Sequence, residues 1–165
     1  MSISGIRSDA AAKTASSIRA FAQVFRCEYL PAEAPGLCIS FFLCARGLGD
    51  ALALPVLEGL LAILMVVFAG LGINAIVDRN IDRKYATFKN QIPDAVEALG
   101  LRRTWAIIGV QLAAACALGV HISLQRGSWV ATALLTGQIF FGVGYSLPPL
   151  QFKLRGALWH AFSLS

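Results

Sequence analysis

The sequence predicts an all-α integral membrane helix bundle with about four transmembrane helices and the start of a fifth. Of its 165 residues, 57% are hydrophobic and only 14% are charged, and the mean hydropathy is +0.68. A soluble domain of this length would carry more charge. Four apolar segments are long enough to be candidate membrane spans, and the 15 glycines suit helices that pack closely in a bilayer.

The amino-terminal segment, residues 1–26, is polar and rich in alanine and serine. It lacks the apolar core of about 7–15 residues that marks a secretory signal. We expect a disordered or amphipathic arm. The first candidate span, Pro35 to about Pro55, is the weakest of the four because Arg46 and Asp50 interrupt it. The second, Gly59 to Val77, is almost continuously apolar and long enough to cross a hydrocarbon core of about 30 Å.

Two further spans follow. The third runs from Thr104 to about Ile122, and the fourth from Trp129 to Leu147. Trp129 and Tyr145 stand near the two ends of the fourth span, where interfacial aromatic side chains belong. A fifth span is predicted to begin at about Ala157.

Lysine and arginine predict the orientation. If the amino terminus lies inside, only Arg46 and Arg126 lie outside, and the remaining basic residues share the inner side. They are Arg7, Lys13, Arg19, Arg26, Arg79, Arg83, Lys84, Lys89, Arg102, Arg103, Lys153 and Arg155. By the positive-inside rule, the amino terminus and the residues after the second span face the cytoplasm.

The segment from Arg83 to Arg103 is predicted as a loop of about 20 residues, which is too long for a simple helix–helix turn. Its basic side chains would complement an anionic group, although positive-inside bias alone explains the same residues.

Composition also excludes some functions. The four cysteines, Cys27, Cys38, Cys44 and Cys116, form no C-x-x-C pair and have no histidine at a zinc-binding spacing. The net charge of +5 is scattered between apolar runs, so we expect no nucleic-acid partner. Membrane lipids are the expected surroundings.

The motif with chemical content is Asn74, Asp78 and Asp82, at the end of the second span. Residues i, i+4 and i+8 of a helix share an arc of about 80° and span about 12 Å. One helix stripe therefore carries an amide and two carboxylates. Such oxygen ligands suit Mg²⁺, which needs few protein carboxylates and takes other ligands from water and a substrate phosphate. The motif predicts a site for an ionised substrate at the membrane surface.

Two strings in the sequence resemble a known family. Asn74-Ala-Ile-Val-Asp78-Arg-Asn-Ile-Asp82-Arg83 is similar to the first aspartate-rich motif, Asn-Asp-x-x-Asp-x-x-x-Asp-Arg, of the UbiA family of intramembrane prenyltransferases. Gly144-Tyr-Ser-Leu-Pro-Pro-Leu-Gln-Phe-Lys153 resembles the Tyr-Ser-x-Pro-Pro-Leu-x-x-Lys segment after the family's fourth helix. Arg26-Cys-Glu-Tyr-Leu-Pro31 is weakly similar to the family's entry to the first helix.

The resemblance implies Mg²⁺-dependent transfer of a prenyl group from a prenyl diphosphate to an aromatic or other lipophilic acceptor. It implies that Asp78 and Asp82 are catalytic and, with Asn74, hold the metal. Asn74, Arg83, Lys84 and Lys153 would bind the diphosphate, and Tyr145 would line the pocket near the reacting carbon.

The resemblance covers residues 20–165 but only the first half of a fold of roughly nine helices, so residues 27–165 form an incomplete transmembrane prenyltransferase-like region. The family's second Asp-x-x-x-Asp motif is absent from this sequence. We therefore expect the chain to be inactive alone, either as a truncated product or as a half that pairs with a second chain. Ala75 replaces a frequent family aspartate, and because it lies about 100° off the stripe we expect Ala75→Asp to have little effect.

Two other functions stay open. One is a non-catalytic helical membrane subunit or a remnant of an enzyme. The other, less favoured, is a CDP-alcohol phosphotransferase, whose site also spaces acidic residues by four. That class requires an upstream Asp-x-x-Asp-Gly, which this sequence lacks.

Overall fold

The computed structural model describes residues 16–31, 35–36, 38–39, 47–84 and 91–155. These residues form helices joined by short turns, with no strand among them, so the predicted all-helical class is confirmed. Short 3₁₀ turns lie at Cys27–Tyr29 and Phe152–Leu154. The helices are α1 (16–24), α2 (Leu48–Ala51), α3 (Leu54–Lys84), α4 (Gln91–Leu99), α5 (Leu101–Arg126) and α6 (Val130–Ser146).

Two helices, α3 with 31 residues and α5 with 26, are long and apolar enough to cross a membrane. At 1.5 Å per residue they measure roughly 46 and 39 Å, against a hydrocarbon core of about 30 Å. They contain the second and third predicted spans. The helix α6 covers most of the fourth, and its 17 residues stand at the lower end of the range of about 17–25 that a span requires. Four spans were predicted, and two helices of full spanning length lie among the described residues.

The start of α3 corrects the predicted end of the first span. Pro55 was placed at the end of that span, but it lies in the first turn of α3, where its missing N–H leaves no helical hydrogen bond unmade. Residues 40–46 of the predicted first span and Ala157, where the fifth span was predicted to begin, lie outside the described residues.

The predicted loop between Arg83 and Arg103 contains a helix, α4. Pro93, Ala95, Val96 and Leu99 are buried. Proline fits here because it stands in the first turn. Gly100 follows at a φ of 89°, a conformation that glycine adopts without steric cost, and lets the chain turn directly into α5.

The central helices α3 and α5 are antiparallel. The Glu58 carboxylate lies 3.5 Å from His121 Nε2 at one end of the pair. Nearer the other end, Gly72 lies beside Ile108. Five of the side chains that α3 buries recur at alternating spacings of four and three residues, which is the spacing of helices packed along a common seam. They are Ala62, Val66, Ala69, Ile73 and Ile76, and Ala75 is buried beside them.

A tight hairpin joins α5 to α6. Gly127 adopts the left-handed conformation, with φ 63°, and the Ser128 N–H bonds back to the Ser123 carbonyl over 3.1 Å, a usual way to end a helix. Thr132 Oγ1 donates to the Gly119 carbonyl over 3.0 Å and lies 2.8 Å from Ser123 Oγ. This polar cluster holds the hairpin together. Because α6 runs back along α5, its carboxyl end lies at the same end of the bundle as the carboxyl end of α3.

The amino-terminal helix α1 belongs to the core. Ala20, Val24 and Phe25 are buried, and a Cβ built on Gly72 would lie only 2.6 Å from Phe25 Cε1. Because Gly72 has no side chain, the phenyl ring of Phe25 can pack directly against α3. The sequence analysis placed residues 1–26 in an amino-terminal arm outside the helix bundle. The end of that segment packs into the bundle, because Phe25 is part of the buried core.

Candidate functional site

The candidate site begins with the polar stripe on α3. Asn74, Asp78 and Asp82 lie on successive turns near the end of this helix, and all three are half-buried. The neighbouring positions Ile73, Ala75 and Ile76 are buried in the core. The stripe therefore runs along the edge of the apolar contact between helices.

The second part of the site is the segment that follows α6. The peptide bond between Pro148 and Pro149 is cis, and Gln151 adopts a left-handed conformation with φ 39°. The Arg155 guanidinium donates a hydrogen bond of 2.7 Å to the Pro149 carbonyl. The chain folds back beside α6, and the 3₁₀ turn Phe152–Leu154 packs against that helix.

Phe152 anchors this returning segment. Its side chain is buried against Gly144, where an added Cβ would lie 2.7 Å from Phe152 Cε2. The ring also lies near Phe140 and Phe141, with centroid separations of 6.2 and 5.9 Å. Packing of Phe152 fixes the backbone of the next residue, Lys153.

Lys153 joins the two parts. Its ammonium group donates to Asp78 Oδ1 and, over 3.3 Å, to Asn74 Oδ1. Ser146 Oγ donates to the same Asn74 oxygen over 3.0 Å. Residues more than 70 positions apart in sequence therefore form one hydrogen-bonded cluster, Asn74, Asp78, Ser146 and Lys153, which we call the Asp78–Lys153 cluster.

The cluster is largely screened from solvent. The side chains of Asp78 and Lys153 are 18% and 15% exposed, and Ser146 is buried. A carboxylate in such surroundings is costly unless it is paired, and the lysine supplies the pairing charge. The remaining exposure leaves the Asp78 carboxylate partly accessible to a solute.

Arg83, predicted to bind diphosphate, is engaged elsewhere. Its guanidinium lies 2.8 Å from Glu97 Oε1 and 3.5 Å from Asp94 Oδ1, both on α4. The three side chains are well exposed, with accessible fractions of 52% for Arg83, 61% for Glu97 and 80% for Asp94. These contacts tie α4 to the end of α3.

The other predicted site residues are less closely placed. Asp82 makes no hydrogen bond or ion pair with another described residue. Lys84 is exposed and lies about 200° around the helix from Asp82. Tyr145 is half-buried and about 100° around α6 from Ser146. The structure therefore brings together Asn74, Asp78 and Lys153 among the predicted residues, and it adds Ser146, which the sequence analysis did not single out.

The burial of Ala75 argues against the prediction that Ala75→Asp has little effect. Its side chain is fully buried in the core cluster that α1, α3, α4 and α5 form. Lying off the polar stripe therefore does not place position 75 in solvent. A carboxylate there would be buried among apolar side chains.

The oxygen donors of the stripe fit a hard dication in their chemistry. Two carboxylates and an amide are offered from one helix, and Mg²⁺ commonly takes one or two protein carboxylates and completes its shell with water and phosphate. Within the described residues, no group of three or more His, Cys, Asp or Glu side chains is placed to hold a metal. Three oxygen donors would leave the rest of the shell of such an ion to water or to a bound anion.

No protein-family model, curated protein or solved structure matches the chain. The resemblance to the prenyltransferases rests on the two motif strings themselves.

Proposed function

We propose that the chain forms the amino-terminal half of a Mg²⁺-dependent intramembrane prenyltransferase of the UbiA type. The observation that supports this most strongly is the Asp78–Lys153 cluster. The two strings that resemble the family, one on α3 and one from Gly144 near the end of α6 to Lys153, place polar side chains in direct contact.

A membrane location is part of the proposal. In the most apolar windows of α3 and α5 only 39% and 22% of the residues are buried inside the protein. The core helices of a soluble protein would cover most of such residues, whereas lipid accepts them uncovered. We propose that α3, α5 and α6 traverse the bilayer, with the remaining predicted spans beside them.

The orientation follows from charge. Arg126 lies at the end of α5 opposite to the Asp78–Lys153 cluster. The basic residues at the same end of the bundle as the cluster, Lys153 included, are Arg79, Arg83, Lys84, Arg102, Arg103, Lys153 and Arg155. By the positive-inside rule the cluster faces the cytoplasm, where soluble Mg²⁺ and diphosphate esters are at hand.

In this proposal each residue has a defined role. Asp78 and Asp82 present carboxylate oxygens to Mg²⁺, and Asn74 presents its amide oxygen. The metal, when bound, would neutralise charge on the diphosphate and make it a better leaving group. Lys153 contributes a positive charge to the departing diphosphate, and Ser146 orients the Asn74 amide through its hydrogen bond.

The prenyl chain and the acceptor require apolar surroundings. The helices α3 and α5 border the cluster with apolar surface, so a prenyl chain can lie along them while its diphosphate stays at the polar end. The acidic residues that would face the stripe from the other side of the substrate are proposed to come from polypeptide outside this sequence, in the same protein or in a second chain.

A second candidate function is favoured by one observation. The Asp78 carboxylate is already paired with Lys153, and a purely structural ion pair between α3 and the segment after α6 would look the same. In that case the chain is a non-catalytic helical membrane subunit. Such a subunit has no reason to bind a diphosphate ester.

Binding of a prenyl diphosphate separates the two functions. We expect the chain, in detergent micelles, to bind tritiated geranylgeranyl diphosphate only when Mg²⁺ is present. Asp78→Asn should weaken this binding at least about tenfold, because even the loss of an outer-shell partner of a metal site has that effect. Asp50→Asn is the matched control, since it removes the same charge from α2, before the start of α3. Equal binding by both variants would favour the structural subunit.

A further inference from the structure

The position of Lys153 has a consequence for how a metal could bind. The ammonium group contacts Asp78 Oδ1 and lies 3.3 Å from Asn74 Oδ1. These two oxygens are also donors that the proposed function assigns to Mg²⁺. The lysine therefore occupies the place in which a dication would meet the same oxygens.

The two cations cannot share these oxygens. Mg²⁺ binds oxygen at about 2.0–2.1 Å. A dication on Asp78 Oδ1 would come within a few ångströms of an ammonium group on the same atom, in a site only partly open to water. Repulsion between like charges at that separation costs several kcal/mol even at an effective dielectric constant of about 20. At these two oxygens, one cation must leave when the other binds.

We infer that Lys153 is a built-in counter-ion, which holds the Asp78 and Asn74 oxygens while no dication is bound and moves to the diphosphate when Mg²⁺ takes them. This inference rests on the proposed function. The lysine gives up one anionic partner and gains another, so neither the carboxylate nor the ammonium is left buried and unpaired.

The local structure allows such a movement without unfolding. Phe152, buried against Gly144, holds the backbone next to Lys153, whereas the lysine side chain is a flexible four-carbon stem. Ser146 still donates to Asn74 Oδ1 and keeps the amide oriented after the ammonium has left. The ammonium group can therefore change partners while the 3₁₀ turn stays in place.

Thermodynamic coupling follows from this exchange. A dication alone must displace Lys153 and leave it without an anionic partner, so it binds weakly. When a diphosphate is present the displaced ammonium has a new partner, so the dication binds more tightly. By linkage the dication must strengthen diphosphate binding by the same factor. The site would thus discriminate against a metal that arrives without its substrate.

Titration with Mn²⁺, followed by the electron paramagnetic resonance signal of the unbound ion, tests the inference. We use the 165-residue chain in micelles, first without any diphosphate. Lys153→Met removes the competing charge and keeps an unbranched side chain of similar length, and it should tighten Mn²⁺ binding at least about fivefold, the lower end of usual coupling factors. Arg102→Met is the control, since it removes one positive charge from the same end of the bundle, and it should change the affinity less.

With added inorganic pyrophosphate, the natural chain should bind Mn²⁺ more tightly than Lys153→Met does. It should tighten Mn²⁺ binding to the natural chain, after correction for Mn²⁺–pyrophosphate in solution, and should do so much less in Lys153→Met. If Lys153→Met binds Mn²⁺ with unchanged or lower affinity without pyrophosphate, the inference is overturned.

A second measurement avoids any mutation and so does not depend on whether Lys153→Met folds. Acylation of Lys153 by an N-hydroxysuccinimide ester, followed by mass spectrometry with the exposed Lys84 as reference, should increase when Mn²⁺ is added alone. It should decrease again when pyrophosphate is added. If the extent of Lys153 acylation in the natural chain does not change when Mn²⁺ is added, the exchange is contradicted.

The outcomes distinguish this inference from the proposed function. Mg²⁺-dependent binding of a prenyl diphosphate with no effect of Lys153→Met on Mn²⁺ affinity would overturn the exchange alone. Tighter Mn²⁺ binding by Lys153→Met and the expected effect of pyrophosphate, together with no binding of a prenyl diphosphate, would uphold the exchange and overturn the prenyltransferase. Failure of every variant to bind Mn²⁺ would overturn both.

Discussion

The ring of Phe152 lies against the backbone of Gly144, so closely that a Cβ at position 144 would come within 2.7 Å of Phe152 Cε2. This contact connects the end of α6 to the residue that precedes Lys153. The position of the lysine ammonium over Asp78 therefore depends on a glycine nine residues earlier in the sequence. A residue that touches neither the carboxylate nor the lysine shapes the site.

Gly144→Ala should accordingly damage the site. The added methyl group meets Phe152 and Leu150, and such overpacking costs about 1–3 kcal/mol. We expect a lower free energy of unfolding in denaturant titrations and a weaker effect of pyrophosphate on Mn²⁺ affinity. Gly142→Ala is the matched control, because its Cβ would meet no atom within 4 Å. In an exposed helix that change gains up to about 1 kcal/mol. Equal stability of the two variants would contradict the packing described here.

Ala75→Asp should be strongly destabilising. Position 75 is fully buried among apolar side chains of the protein, where an unpaired carboxylate is costly. We expect a lower yield of folded protein and a lower midpoint of thermal unfolding. Asn80→Asp adds the same charge at an exposed position of the same helix and should be tolerated. If Ala75→Asp matches Asn80→Asp in stability, α3 does not pack as described.

Arg83→Gln should loosen α4 while leaving diphosphate binding largely intact. Arg83 is paired with Glu97 and Asp94 rather than directed at the Asp78–Lys153 cluster. Hydrogen exchange of residues 91–99 should become faster, and raised salt should have a similar effect in the natural chain because the pair is exposed. Arg102→Gln serves as the control for loss of charge alone. A loss of geranylgeranyl diphosphate binding as large as that of Lys153→Met would instead assign Arg83 to the diphosphate.

The orientation predicts a specific labelling pattern. In intact cells a membrane-impermeant maleimide should label the Ser128→Cys variant, in the turn between α5 and α6. The Asn80→Cys variant should be labelled only after permeabilisation. The reverse pattern at positions 80 and 128 would overturn the orientation.

The Cys27 thiol should react slowly with the same reagent. Burial, with a smaller contribution from the charge of Glu28, raises the pKa of this thiol. It therefore stays protonated at neutral pH, and its labelling should increase as the pH approaches the raised pKa.

Much of the helical framework could be predicted from apolar runs. The second and third spans lie within α3 and α5, and Trp129 directly precedes α6. What failed was the treatment of proline and of long polar segments. Pro55 and Pro93 were interpreted as ends or loops, but each lies in the first turn of a helix, where proline is tolerated. Burial of Ala75 could not be predicted because it belongs to a core cluster that also draws on α1, α4 and α5.

The site was predictable in part. Helical spacing alone puts Asn74 and Asp78 on one stripe, and a motif string singled out Lys153. Their contact depends on the hairpin between α5 and α6 and on the turn that Phe152 anchors, and neither is visible in local periodicity. Ser146 was missed because a serine within an apolar helix end carries no signal until its partner is known. The engagement of Arg83 by α4 was missed because α4 itself was not predicted.

The most direct test of the central claim is whether a metal bound at Asp78 also contacts a diphosphate. Electron–nuclear double resonance of Mn²⁺ with geranylgeranyl diphosphate and the natural chain should show ³¹P coupling in a protein-bound species. The Asp78→Asn variant should lose that species, while Asp50→Asn should retain it. A protein-bound ³¹P-coupled signal of equal strength in both variants, or its absence from the natural chain, would contradict the assignment of the Asp78–Lys153 cluster as a metal–diphosphate site.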